Sequence, residues 1–364
     1  MNARIADPLG LQATAAHGRG TLRNPAGRFE PRQTLAFDDG WGEEPVPAAP
    51  QTVVTDEHGR SALTYNESPD LDFDRTLNPY RGCEHGCIYC YARPSHGYLG
   101  LSAGLDFETR LYAKPDAPQL LQAELRKPGY KPALVLIGAN TDAWQPVERE
   151  RRITRQLLEV LLAFKHPFGF ISKSALVTRD LDLLAEAGRL GLCRGYVTVT
   201  TLDATLQRKL EPRTAAPGRR LEVIAALAEA GVPVGVMAAP LIPGLNDHEL
   251  EGILEAAKAA GAQRAGYIVL RLPLEIKDLF DTWLTDHYPD RKGRVLQLLR
   301  QMRGGALNTA EFGLRMRGTG TYADLLQRRF EVANRRLGLD APWPSPVTAL
   351  FAPPPRPGEQ LRLL

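Results

Sequence analysis

The sequence predicts an α/β fold in which a mostly parallel sheet is covered by helices. Two observations carry that prediction. Six short apolar runs recur between residues 77 and 273, and the gaps between them hold stretches with apolar residues at helical spacing. Three of these helical stretches end on a glycine placed to cap a helix C-terminus. Strands this apolar are buried on both faces, which needs a parallel sheet with helices on it, either doubly wound or closed into an incomplete barrel. In both architectures chemistry belongs at the C-terminal ends of the strands.

Residues 1–65 precede this pattern and lack sustained apolar periodicity, but hold many chain breakers, as in "DDGWGEEPVPAAPQT". They are expected to form a flexible N-terminal arm. Its charge is divided, with five Arg against two acids over 1–34 and six acids against one Arg over 35–65, a polarity that favours folding back. The core spans 66–290. Its strand runs are "LNPYRG" (77–82), "ALVLIGAN" (133–140), "FGFISKS" (168–174), "GYVTVTT" (195–201), "VPVGVMAAPL" (232–241) and "AGYIVLRLP" (265–273). Between them lie "QLLQAELRK", "RQLLEVLLAFK", "LDLLAEAGRLG", "RRLEVIAALAEAG" and "ELEGILEAAKAAG". Residues 291–364 form a basic, mainly helical C-terminal extension with 13 Lys and Arg against 5 Asp and Glu. Its pattern "YADLLQRRFEVANRRLGL" puts Arg328, Arg329, Arg335 and Arg336 opposite an apolar stripe, a face suited either to solvent or to a polyanion. The proline-rich end, "APPPRPGEQLRLL", is expected to be irregular.

A chain of 364 residues, 43% hydrophobic and 24% charged, is long and apolar enough to bury a sizeable core. No run approaches the ~18 apolar residues of a membrane span, and the first residues lack the apolar stretch of a signal peptide, so the expected compartment is the cytoplasm with no membrane partner. Four cysteines in such a chain are not a disulfide framework. Three of them, Cys83, Cys87 and Cys90, fall within eight positions of "NPYRGCEHGCIYCYAR", which points to metal binding or catalysis. Three thiolates can hold three irons of a four-iron, four-sulfur cube and leave the fourth iron open to a ligand. A zinc site using Cys83, His85, Cys87 and Cys90 is the competing reading, although zinc knuckles usually space their ligands as two separated pairs. Cys193, in "GLCRGYV", reads as a buried small hydrophobe.

The Cys-x3-Cys-x2-Cys spacing, with Tyr89 just before the last cysteine, resembles the signature of the radical S-adenosylmethionine (radical SAM) superfamily. The surrounding residues are most similar to its branch of spore photoproduct lyase and DNA-repair photolyase-like proteins, and the likeness spans roughly 70–330. The resemblance implies a partial (β/α)6 radical-SAM barrel and a [4Fe-4S] cluster on Cys83, Cys87 and Cys90. It also implies an enzyme, of lyase or transferase type, that reductively cleaves S-adenosylmethionine to a 5′-deoxyadenosyl radical and abstracts hydrogen from a substrate. A reductant such as flavodoxin or ferredoxin is the implied partner.

Further positions follow from the same likeness. Asn140, Thr141 and Asp142 end the second strand, where the superfamily contacts the methionine amino group; Asp142 reads equally as a helix cap. Lys173 suits the methionine carboxylate or plain solvent. Thr198 and Thr200 face one way on their strand, toward ribose hydroxyls or merely as strand formers. Glu211 and Arg213 match the branch's "EPR" segment, in which the arginine forks a carboxylate, with a turn-and-cap pair as the alternative. Pro243 and Gly244 match a motif along the adenine and read first as a turn. Tyr89 and Tyr91 match two tyrosines of a hydrogen relay and are the candidate catalytic residues. The chain departs from spore photoproduct lyase at Ala139, where that enzyme carries its hydrogen-donating cysteine, so repair of that thymine lesion is not expected. The favoured substrate class is DNA or RNA. Radical modification of a protein or peptide, and a non-enzymatic metal-stabilised nucleic-acid binder, are the alternatives.

Overall fold

The computed structural model describes residues 18–21, 23–29, 50–343 and 345–355. Among them the strands, in chain order, are β1 (Val53–Asp56), β2 (Leu63–Tyr65), β3 (Arg75–Leu77), β4 (Tyr80–Arg81), β5 (Arg110–Ala113), β6 (Val135–Ile137), β7 (Phe168–Ser172), β8 (Cys193–Thr198), β9 (Val234–Leu241) and β10 (Arg264–Val269). The larger sheet has the order β10-β9-β8-β7-β6-β3-β2. From β10 to β3 every pair is parallel, and β2 joins the β3 edge antiparallel. Six parallel strands in chain order, with helices between them, make an incomplete (β/α)6 barrel.

The helices form where the apolar spacing places them. Ile153–Ala163, Leu181–Arg189, Pro217–Glu229 and Leu250–Ala259 bury Leu157, Leu184, Ile224 and Ile253 against the sheet. The expected glycine stops are capped ends: Leu192 N–H donates to Ala187, Val232 N–H to Leu227 and Ala262 N–H to Ala257, each at 2.9 Å, and the chain then enters β8, β9 and β10. Every C-terminal strand end therefore opens on the same rim.

Three expectations change. The run 77–82 is divided, because Pro79 has no N–H to donate and ends the ladder; β3 stays in the barrel while β4 pairs with β5 in a second sheet, β1-β5-β4. Within the expected flexible arm, β1 and β2 belong to the two sheets and residues 18–21 and 23–29 make specific contacts described below, whereas residues 1–17, 22 and 30–49 lie outside the described residues. Strands of four and three residues are too short to show a period.

The C-terminal segment is also less separate than a cut at 291 suggests. Its helix Pro289–Met302 begins before that position, Val269 N–H of β10 donates to Met316 at 2.9 Å, and Tyr267 packs on Phe330 at 4.7 Å between ring centres. The segment thus covers an otherwise open sheet edge. On helix Thr321–Arg336 the basic face is half neutralised: Arg329 pairs with Glu251 at 2.6 Å and Arg336 with Glu255, leaving Arg328 and Arg335 exposed. Residues 356–364 fall outside the described residues. Among the described residues no helix is long and apolar enough to cross a membrane.

Candidate functional site

The cysteine loop leaves β4 on the rim formed by the strand ends. Gly82 and Gly86 have φ of 75° and 66°, conformations that side chains disfavour, and these two positions turn the chain tightly enough to gather the cysteines. Cys83 N–H donates to Phe107 at 2.9 Å and Cys90 N–H to Cys87 at 3.2 Å. Gln145, fully buried, clamps the loop's start: its amide donates to the Gly82 carbonyl at 3.0 Å and its oxygen accepts from Glu84 N–H at 2.9 Å. Sequence reasoning missed Gln145, although it lies three residues beyond Asp142 in "TDAWQ".

Cys83 and Cys87 are buried and Cys90 is half-buried. Burial pushes the Cys83 and Cys87 thiols up, so they are neutral until a cation takes over their charge. Among the described residues no three His, Cys, Asp or Glu side chains converge on a point that one metal ion could fill. A zinc ion would need its sulfurs about 2.3 Å away. His85 is turned away to Asp142, Nδ1 to Oδ2 3.4 Å, and burial holds it neutral with its pKa down to about 4. His85 thus serves Asp142 rather than standing beside the thiols as a fourth zinc ligand, and three cysteines on one loop are the ligand set a four-iron cube with one open iron takes. Cys193 opens β8 at the opposite end of the sheet; its thiol donates to the Leu184 carbonyl at 3.4 Å, and burial pushes it up to about 12.

The strand-end residues divide into engaged and free groups. Asp142 is saturated: it accepts from Trp144 N–H at 2.9 Å, from the Ser172 hydroxyl at 2.8 Å and from Lys173 N–H at 2.7 Å, so it ties β6 to β7 and holds His85. Thr141 donates to the Tyr80 carbonyl at 2.9 Å. Asn140 is anchored through its N–H to the Asn78 oxygen at 2.9 Å, which leaves its amide side chain on the rim. The Lys173 amine lies 6.0 Å from the Tyr89 ring centre.

Glu211 is fully buried and serves the protein itself. Tyr89 donates its hydroxyl to it, the Thr200 hydroxyl lies 2.6 Å away, and Arg220 forms an ion pair with it. Burial raises the Glu211 pKa against the pull of Arg220. Thr200 also lies 2.9 Å from the Ala239 carbonyl, so its hydroxyl is not available to a ribose, whereas Thr198 is buried with its carbonyl held by Arg220 at 3.0 Å. Arg213 reaches a carboxylate through one contact rather than a fork, and that carboxylate is internal: its Nη2 lies 3.1 Å from Glu84, the residue after Cys83. Pro243 and Gly244 make a turn in which Gly244 N–H donates to Asp247 at 2.9 Å. Tyr91 is 54% exposed, and its hydroxyl donates to the Ala139 carbonyl, linking the cysteine loop to the end of β6.

Part of the expected arm lies across this loop. Gly20 N–H and Thr21 N–H donate to the Glu108 carboxylate at 2.8 and 3.2 Å, the same carboxylate that pairs with the fully buried Arg93 at 2.5 Å. Arg19 reaches the Glu108 carbonyl at 2.9 Å, and Asn24 exchanges bonds with Asp106 at 2.8 and 3.0 Å. A Cβ on Gly20 would stand 1.6 Å from the Gly86 carbonyl oxygen. Gly20→Ala is therefore expected to lift this segment off the loop. Limited proteolysis should then cut near residues 18–29 far faster than in the wild type, and a chelator should strip iron sooner; unchanged cleavage and stripping would show that the contact does not hold the segment.

A family model described as the radical SAM superfamily matches residues 77–257. An uncharacterized protein of Mycobacterium tuberculosis is 35% identical over 247 residues, 66% of this chain and 72% of its own length. A radical SAM Nalpha-GlyT isomerase of Pseudomonas phage M6 is 25% identical over 186 residues, half of this chain and 36% of that protein. Spore photoproduct lyase complexed with dinucleoside spore photoproduct superposes with a TM-score of 0.57 over 78% of this chain and 79% of that one at 15% identity, a likeness of fold. By the match from Leu77 to Ala257, which takes in the cysteine loop and most of the barrel, this chain belongs to the radical SAM superfamily, whose enzymes work with a [4Fe-4S] cluster and S-adenosylmethionine.

Proposed function

We propose that this chain uses Cys83, Cys87 and Cys90 to hold the cluster and acts on a nucleic acid. The observation that carries the reading is the placement of three thiols at the C-terminal rim of a parallel barrel, directly beside the exposed Tyr91. When bound there, the cluster and S-adenosylmethionine supply a one-electron cleavage and a carbon radical that takes hydrogen from substrate, with the electron coming from a flavodoxin- or ferredoxin-type donor.

The chain's own residues bind and orient. Lys173 offers a point charge to the methionine carboxylate, and the Asn140 amide an acceptor to its amino group. Asp142, Thr141, Thr200, Glu211 and Arg213 act behind them, fixing the strand ends and the loop. Tyr89 is held by Glu211 and keeps its ring toward Lys173. Tyr91, at the mouth, is the O–H nearest an incoming substrate and the candidate to return hydrogen to product, because Ala139 has no labile hydrogen.

Nucleic acid is favoured by the excess of basic residues in the C-terminal segment, where Arg328 and Arg335 stay exposed, and by the dinucleoside held in spore photoproduct lyase, a protein of the same fold. The test is deuterium transfer. Reduced, reconstituted protein is incubated with perdeuterated oligonucleotides, and the 5′-deoxyadenosine formed is examined by mass spectrometry. Deuterium in that product supports the reading; deuterium arriving only from a perdeuterated peptide mixture would move the substrate to protein. DNA carrying spore photoproduct should show no thymine restored at catalytic turnover.

A further inference from the structure

Arg271 lies two residues beyond the end of β10, on the same rim as the cysteine loop. Its guanidinium carbon is 6.0 Å from the centre of the exposed Tyr91 ring. Among the described residues its buried Nε has no hydrogen-bond partner, and Nη1 reaches the Met316 sulfur at 3.7 Å. Among the described residues no carboxylate pairs with it. Asp70, the acid that attracts it, is already bonded by Arg315 at 2.5 Å and by Gly313 N–H at 2.6 Å. Glu275, further along the same segment, pairs with Arg28. The neighbouring Arg303 brings a second guanidinium, bonded to the carbonyls of Val269, Leu270, Leu314 and Arg315 and to no acid among the described residues.

A half-buried guanidinium with a buried Nε donor unmet and no carboxylate beside it is costly, and an anion would satisfy both its charge and that donor. Burial, followed by repulsion from Arg315, already pushes Arg271 below its ordinary pKa. The planar fork matches the paired oxygens of a phosphate ester better than any neutral group.

We propose that Arg271 binds a backbone phosphodiester of the substrate and thereby sets which nucleotide reaches Tyr91 and the cluster loop. This rests on the nucleic-acid reading above. Arg315, with its acid partner on one side, and Arg303, with its carbonyls, hold the segment that carries Met316 against β10, beside Arg271.

The probe is a short single-stranded oligodeoxynucleotide, together with its uncharged methylphosphonate analogue, titrated anaerobically into the cluster-loaded protein with S-adenosylmethionine present. Arg271→Gln should weaken oligonucleotide binding about 10- to 100-fold and reduce the slope of log affinity against log salt by about 0.7. The analogue should bind the wild type weakly and be indifferent to the substitution. Arg271→Lys should keep the salt slope and recover only part of the affinity. Iron content, melting temperature and S-adenosylmethionine affinity are measured on every variant.

Oligonucleotide affinity unchanged in Arg271→Gln, or equal wild-type binding of the charged and uncharged probes, would overturn the proposal while leaving the nucleic-acid reading in place. A matching fall in S-adenosylmethionine affinity would overturn it by assigning Arg271 to the cofactor's carboxylate. Wild-type protein that binds no oligonucleotide would overturn the nucleic-acid reading and this proposal with it.

Discussion

Alanine at Cys83, Cys87 or Cys90 is expected to abolish cluster binding, reducing bound iron from about four per chain to near zero, whereas alanine at Cys193 leaves it unchanged. The three thiols share one loop whose shape is set independently of them by Gly82, Gly86 and the Gln145 clamp. Each variant should therefore fold with the loop in place and lack only a ligand. Burial keeps the remaining thiols neutral without iron, so two of them cannot hold the charge of a cluster alone. Cys193 sits at the other end of the sheet, in the core, with its thiol directed to Leu184. Iron and sulfide analysis of anaerobically reconstituted single variants decides the matter. Full iron in any of the first three, or its loss from Cys193→Ala, contradicts the assignment.

Arg220→Ala is expected to cost the most stability of any single change in the barrel. Its side chain is 1% exposed and that of Glu211 is fully buried, so the substitution leaves a carboxylate in the core without its counter-charge, a loss of about 3–5 kcal/mol. Against a total of roughly 5–15 kcal/mol, that is a large fraction. Arg220 also joins the start of its helix to β8 through the Ala215 and Thr198 carbonyls at 2.8 and 3.0 Å.

The deficit has a pH signature. Glu211 already has a raised pKa in the folded protein, and without Arg220 it rises further, so the folded variant binds a proton that the unfolded chain releases. Stability is then greatest below the ordinary carboxylate range and falls as pH rises through the folded value. Melting curves at pH 5 and pH 8 should show a larger drop for Arg220→Ala at the higher pH. A double replacement, Arg220→Met with Glu211→Leu, should recover much of the loss; equal deficits in the single and double variants would remove the ion pair from the explanation.

The barrel was legible because its signals are periodic and local. Apolar runs mark β6 to β10, and glycines stop the helices that feed β8, β9 and β10. The cysteine loop was legible for the same reason, since its three cysteines lie within eight positions. What the sequence hides is partnership. Asp142, Glu211 and Arg213 were singled out as candidate cofactor contacts, but their partners in the fold come from tertiary neighbours: Ser172 and Lys173 on the next strand, Arg220 on a helix, and Glu84 far back in the chain. Arg271 was concealed inside the apolar run "AGYIVLRLP". The arm's split charge hinted at folding back, but the contact at Gly20 was not legible because a single close approach has no period.

The central claim is that this rim generates a radical from S-adenosylmethionine, and its most direct measurement is 5′-deoxyadenosine release. Anaerobically reconstituted protein is mixed with S-adenosylmethionine and a strong reductant, and the product is quantified against a variant carrying alanine at Cys83, Cys87 and Cys90. The account predicts reductant-dependent 5′-deoxyadenosine from the wild type and none from the triple variant. Equal release from both, or no release from wild type shown to hold four irons, would contradict it.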